Sequence, residues 1–266
     1  MKTIRLGYKI MQTLVKDSIY YPGQLIFGTI STIARLGVLL LLYNYVFRLN
    51  NGVINGTTFG VIAWSVFFYF AFLVFRLRDI SRTIMQDVQS GNIEVLFSKP
   101  ISYLAYRMWW QIGTSLYQFL VIAIVSALTL ALVVGLPSTL STGLFIPTLI
   151  VVILLGSLLS LLTYTVVGLL AFWIEDINPV YWIVDRSIMI LGGSYLPIAL
   201  FPDFMYKIAL WSPLGASQFI THTVYETWKT EWLLKIGIQV FWVFVMAVVV
   251  AILFSKAREK VSVNGG

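Results

Sequence analysis

Long apolar runs alternate with short polar passages along almost the whole chain. The first passage, Lys2 to Tyr21, is amphipathic. Ile4, Tyr8, Met11, Val15 and Ile19 share one helical face, while Arg5, Lys9, Gln12 and Lys16 line the neighbouring stripe. Such a helix lies in the headgroup plane or serves as an ordinary positive flank, and either reading puts the N-terminus in the cytoplasm. Pro22-Gly23 breaks the chain, and the apolar runs that follow predict spans over about 24–47, 61–75, 109–134 and 144–173. Pro179 opens a fifth run that contains Asp185 and Arg186 and breaks at Gly192-Gly193, Pro197 and Pro202. A sixth covers about 233–254. From Pro202 to Trp232 the pattern is mixed, and Asp203 and Ser212-Pro213 predict short helices that do not cross.

The longest polar passage is Arg76 to Arg107, RLRDISRTIMQDVQSGNIEVLFSKPISYLAYR. Ile80, Ile84 and Val88 recur every fourth residue and give a helix with one apolar edge. Gly91 and Asn92 stop it, because Gly and Asn take the left-handed cap conformation cheaply. Ile93, Val95, Leu96 and Phe97 follow, framed by Glu94 and Lys99, and Lys99-Pro100 ends the cluster because the residue before Pro is pushed out of helical geometry. Ser102 is placed to cap the next helix. A compact knob with apolar anchors and a charged rim is a docking surface for another protein.

Composition agrees with the spans. Of 266 residues, 59% are hydrophobic and 11% charged, with mean hydropathy +0.89, whereas soluble domains carry about 25% charged residues. The net charge of +7 does not call for nucleic acid, since the basic residues flank spans. With the N-terminus inside and six spans, twelve lysines and arginines fall on the cytoplasmic side and four outside: Arg48, Lys207, Lys229 and Lys235. There is no cysteine, which excludes disulfides, thiolate metal sites and Cys nucleophiles. No signal-peptide pattern is expected at the start.

Few residues offer chemistry. Arg35, Asp185 and Arg186 are ionisable at membrane depth and are expected to face a partner or water, with Arg35 and Asp185 as a candidate pair. His222, the only histidine, reads as a solvated residue on a short extracellular helix. An intramembrane serine hydrolase fails, because Gly192-Gly193-Ser194-Tyr195 lacks the glycine after serine and His222 lies outside the spans. No Gly-Lys pair occurs, so the phosphate-binding loop G-x-x-x-x-G-K-[ST] is absent. The chain is not expected to be an enzyme or to hold a metal or cofactor. Any energy enters from a partner or an ion gradient.

The order of parts resembles the permease subunits of type-2 ABC exporters, in their ABC-2-like inner-membrane branch. The resemblance rests on Ile84, Gly91, Ile93, Leu96, Lys99, Pro100, Ile101 and Ser102, and on Gly192-Gly193, Pro197, Phe201-Pro202 and Ser212-Pro213. It implies one all-α transmembrane domain over 1–266: an elbow helix (1–21), spans one and two (22–75), a cytoplasmic coupling region (76–107), spans three to five (109–200), extracellular re-entrant helices (201–232), span six (233–254) and a cytoplasmic tail (255–266). The coupling residues would be Ile84, Val88, Gly91, Asn92, Ile93, Glu94, Leu96, Phe97, Lys99, Pro100 and Ile101. Gly192, Gly193, Pro197 and Pro202 would make the re-entrant break. Implied partners are two separate ATPase subunits, which would carry ATP and magnesium, and a second permease, identical or homologous, all in a bacterial cell membrane. The aromatic residues Tyr43, Tyr45, Phe67, Phe68, Tyr69 and Tyr164 favour an amphipathic or lipid-like cargo. The competing reading is an ion-coupled carrier or channel subunit without an ATPase, which inverted repeats and clustered midplane acids would favour.

Overall fold

The computed structural model describes residues 2–20, 22–97, 102–137, 139 and 143–264. Helices dominate: α1 (Lys2–Ile19), α2 (Pro22–Leu49), α3 (Phe59–Val74), α4 (Asp79–Gln89), α5 (Asn92–Phe97), α6 (Tyr103–Val134), α7 (Phe145–Leu169), α8 (Asn178–Leu191), α9 (Asp203–Trp211), α10 (Pro213–Ala216) and α11 (Trp228–Asn264). Between α2 and α3 the strands β1 (Val53–Ile54) and β2 (Thr57–Thr58) pair antiparallel. Asn55 and Gly56 turn between them with φ of 49° and 71°, the left-handed pair that a two-residue hairpin needs.

Side-chain contacts sort the segments into two ends. At one end Asn55 Nδ2 donates to the Ala199 carbonyl (3.3 Å), Trp64 Nε1 to the Gly135 carbonyl (2.8 Å) and Trp228 Nε1 to Thr148 Oγ1 (3.1 Å). At the other, Gln89 Nε2 donates to the Glu175 carbonyl (2.8 Å), Arg107 pairs with Asp87, and the rings of Tyr103 and Phe254 stack at 6.2 Å. The β1–β2 hairpin therefore lies at one end of the fold and α4–α5 at the other.

Among the described residues, five stretches are long and apolar enough to cross a membrane: Leu25–Leu49, Phe59–Gln89, Tyr103–Val134, Phe145–Phe172 and Trp228–Lys260. The fifth expected span falls short. Its helix α8 has 14 residues, about 21 Å against a hydrocarbon core of about 30 Å.

Helix α3 forms the centre. Every residue from Ile62 to Phe72 is buried, the signature of a helix apolar all round and packed on all sides. Phe67, Phe68 and Tyr69 are therefore buried in the core. Helices α2, α6 and α11 lie outside it and expose Phe27, Leu41, Leu132 and Phe244. Helix α1 packs along α6 closely enough that a Cβ on Gly113 would stand 3.0 Å from the Met11 Cα.

Candidate functional site

Helix α4 is set apart from α3 by a corner at Arg76, whose φ of 50° is left-handed. That conformation costs a non-glycine residue about 1–2 kcal/mol. It is held by Gln111 Nε2, which donates to the Arg76 carbonyl (2.9 Å), and by the Arg76–Asp79 ion pair (2.7 Å). At the far end Gly91 (φ 71°) closes α4, as the glycine signal predicted.

Between these ends α4 is fixed to the body on three sides. Ile80 and Ile84 are buried against α7, where Gly168 lets the helices meet; a Cβ on Gly168 would stand 3.0 Å from Ile84 Cβ, Ile84 Cδ1 and Ser81 Cα. Asp87 is buried and gripped by α6. Arg107 Nε donates to its Oδ2 at 2.7 Å, Arg107 also bonds its Oδ1, and the Tyr103 hydroxyl donates to Oδ2 at 2.6 Å. A two-pronged guanidinium–carboxylate pair fixes orientation as well as distance. Near the start of α4, Arg78 pairs with Asp185 of α8 at 3.4 Å, and Tyr164 of α7 donates to the same carboxylate oxygen at 2.9 Å.

Around this pair lies a cavity of about 910 Å³ between α2, α3, α4 and α8. Arg35, Arg76, Arg78, Arg82 and Arg186 line it, with Asp79 and Asp185 the acids. Arg35 reaches the same space as Asp185 but does not pair with it among the described residues; Arg78 does. The guanidinium of Arg82 lies 4.3 Å from the centre of the Tyr181 ring, and that of Arg186 lies 5.0 Å from the Trp182 ring.

Past Gly91, α5 turns two of its apolar residues inward. Ile93 and Leu96 are buried in the chain's own core, so they hold α5 to the body, and Val88 is half-buried beside them. The surface at this corner consists of Gln86, Gln89, Ser90, Gly91, Asn92 and Val95, the last 64% exposed. Lys99, Pro100 and Ile101 lie outside the described residues, as do the side chains of Glu94 and Phe97.

The predicted break after α8 is present. Gly192 ends the helix and Gly193 takes φ 82°. Pro197 and Pro202 each precede a new short turn, a 3-10 turn at Ile198–Leu200 and α9. Ser212 caps α10 as expected, its hydroxyl accepting from the Gly215 N–H at 3.1 Å. From Gly215 to Val224 every residue is buried. Neighbouring side chains satisfy this irregular backbone: Gln239 Nε2 donates to the Ala216 carbonyl (2.9 Å) and Ser65 Oγ to the Thr221 carbonyl (3.0 Å). Buried irregular backbone needs such partners. His222 is not solvated. It is 2% exposed, with its ring 4.8 Å from that of Phe219, because α3 and the start of α11 cover a segment whose polar sequence suggested water.

Asp87, Arg82 and Tyr181 were not singled out by sequence reasoning. Asp87 carries a signal in hindsight, being a lone acid on the apolar edge of α4. Among the described residues no group of three histidine, aspartate or glutamate side chains could hold a metal ion.

The family model described as ABC-2 family transporter protein matches residues 33–265. No curated protein matches the chain significantly. The match runs from Arg35 through the α4 corner and the arginine-lined cavity to the end of α11, so this chain belongs to the ABC-2 transporter family and is a multi-pass membrane permease.

Proposed function

We propose that the chain is half of the membrane unit of an ATP-driven exporter, paired with a second permease and worked by two separate ATPase subunits. Six crossings put both termini in the cytoplasm, with α8 and the segment to Leu200 together making the fifth. Twelve cytoplasmic lysines and arginines against four outside support that orientation. The exposed corner from Gln86 to Val95 is the ATPase-docking face. Ile84, Val88, Ile93 and Leu96 back it from inside, and Gly91 and Asn92 form its apex. The segment from Phe201 to Thr227 caps the outer mouth as re-entrant helices.

The observation that carries the reading is the placement of α4. One 11-residue helix has the exposed corner at one end and the Arg78–Asp185 pair in the cavity at the other. A push on the corner therefore moves a cavity wall. The test is co-purification of the tagged chain from its native membrane, followed by ATP turnover of the complex. An ATPase subunit is expected in the complex, and a Gln89→Arg/Val95→Asp variant should fold but release it. A chain that folds, inserts and purifies with no nucleotide-hydrolysing partner overturns the proposal.

A further inference from the structure

We infer that the cavity between α2, α3, α4 and α8 binds an oxyanion, phosphate or carboxylate, carried on an apolar body. The charge on its walls is unbalanced. Of its five arginines, Arg76 pairs with Asp79 and Arg78 with Asp185. Arg35, Arg82 and Arg186 have no carboxylate at ion-pair distance among the described residues, and Arg82 Nε is buried without a hydrogen-bond partner. Of the three only Arg82 is partly buried, and a cation drawn away from water is costly unless something pairs with it. Guanidinium groups present forked donors matched to the two oxygens of a phosphate or carboxylate.

The same geometry speaks against a small inorganic anion. The guanidinium groups of Arg82 and Arg186 lie over the aromatic side chains Tyr181 and Trp182 of α8; Arg186 Nη1 donates to Met189 Sδ at 3.0 Å, and Arg82 Nε is left to donate. The opposite wall is mostly apolar, formed by Ala34, Val38 and Leu39 of α2 and Phe70 and Leu73 of α3, with Arg35 its one lining charge. Its rim carries Val38, 70% exposed, and Trp182, 46% exposed, so the mouth opens on the apolar outer surface. At about 910 Å³ the space is far larger than a phosphate ion and lies within the range of sites for drug-sized ligands. One basic wall, one apolar wall and a mouth beside the bilayer fit an anionic amphiphile entering sideways, headgroup toward α4 and α8.

The inference deepens the permease reading by naming a cargo class, yet it is tested on the full chain without an ATPase. Its failure would leave the ATPase association standing, and the converse also holds. The purified chain in a non-ionic detergent is exposed to three probes at equal concentration, with binding read by native mass spectrometry: oleoyl lysophosphatidic acid, oleoyl lysophosphatidylcholine and inorganic phosphate. Lysophosphatidic acid should bind at least about tenfold more tightly than either of the others, the scale of one hydrogen bond to a charged group. Arg35→Gln/Arg82→Gln should lose at least that factor, and Arg35→Gln alone, on an exposed side chain, serves should the double variant unfold. Equal binding of the phosphatidylcholine probe would overturn the anion requirement. Inorganic phosphate binding as tightly as the lipid would overturn the amphiphile. Undiminished lipid binding by a folded arginine variant would move the site elsewhere and end the proposal.

Discussion

Arg78 and Asp185, 107 positions apart in sequence, meet at 3.4 Å and join the residue that leads into α4 to the middle of α8. Asp185 is buried and shares that oxygen with the Tyr164 hydroxyl, so three helices converge on one carboxylate. Removing it should loosen α8 first. Asp185→Ala is expected to lose about 1.5–3 kcal/mol, as for a charged hydrogen bond, with faster amide exchange across Asn178–Leu191 than across α6. Unchanged exchange in α8 would mean the pair holds nothing together.

Gly168 tests the seat of α4 on α7. Alanine there would put its methyl 3.0 Å from three atoms of Ser81 and Ile84, two of them Cα or Cβ positions that cannot swing aside. Gly168→Ala should cost about 1–3 kcal/mol as an overpacking change. Gly37→Ala is the control. Nothing lies within 4 Å of that Cβ on α2, and exchanging glycine for alanine inside a helix gains up to about 1 kcal/mol. Thermal unfolding in detergent should separate the two in opposite directions.

The Asp87–Arg107 pair is the second anchor of α4, with side chains 7% and 14% exposed. Breaking a buried pair from one side leaves a charge without its partner, typically a loss of about 3–5 kcal/mol. Arg107→Met should therefore be severe, and Asp87→Leu/Arg107→Met milder than the sum of its single changes. Strict additivity in chemical denaturation would show that the two residues do not act as a unit.

His222 gives a pH signature. Burial, and secondly the nearby positive Lys235, hold its imidazole well below the ordinary 6.5. The folded chain keeps it neutral, while the unfolded chain takes up a proton near 6.5. The unfolded state thus binds more protons below that pH, and stability falls as pH drops through and beneath it. His222→Gln should flatten this slope in unfolding measured from pH 7.5 to 5; an unchanged slope would place the titrating group elsewhere.

Much of this architecture was legible in sequence. Helix starts at Pro22, Asn178-Pro179 and Pro213, and stops at Gly91 and Gly192, appeared where Pro and Gly punctuate the pattern. Partner choice was not legible. Periodicity shows which face of a helix is apolar but not which neighbour covers it, so Arg35 was a candidate for Asp185 while Arg78, in a stretch read as a docking knob, holds that place. The same reason hid the inward turn of Ile93 and Leu96 and the burial of His222. The Asn55-Gly56 hairpin could have been read, since Asn-Gly between β-branched neighbours is a strong short-range signal.

The central claim is that the corner at the end of α4 meets an ATPase and moves the arginine-lined cavity with it. The chain has no cysteine, so one introduced at Val95, and for comparison one at the exposed Val53 of the hairpin end, reports a single position each. A short bifunctional cross-linker applied to the native membrane should join Val95→Cys to an ATPase subunit and leave Val53→Cys unjoined, with the Val95 yield changing when ATP is trapped. Cross-linking at Val53 with none at Val95 would contradict the account.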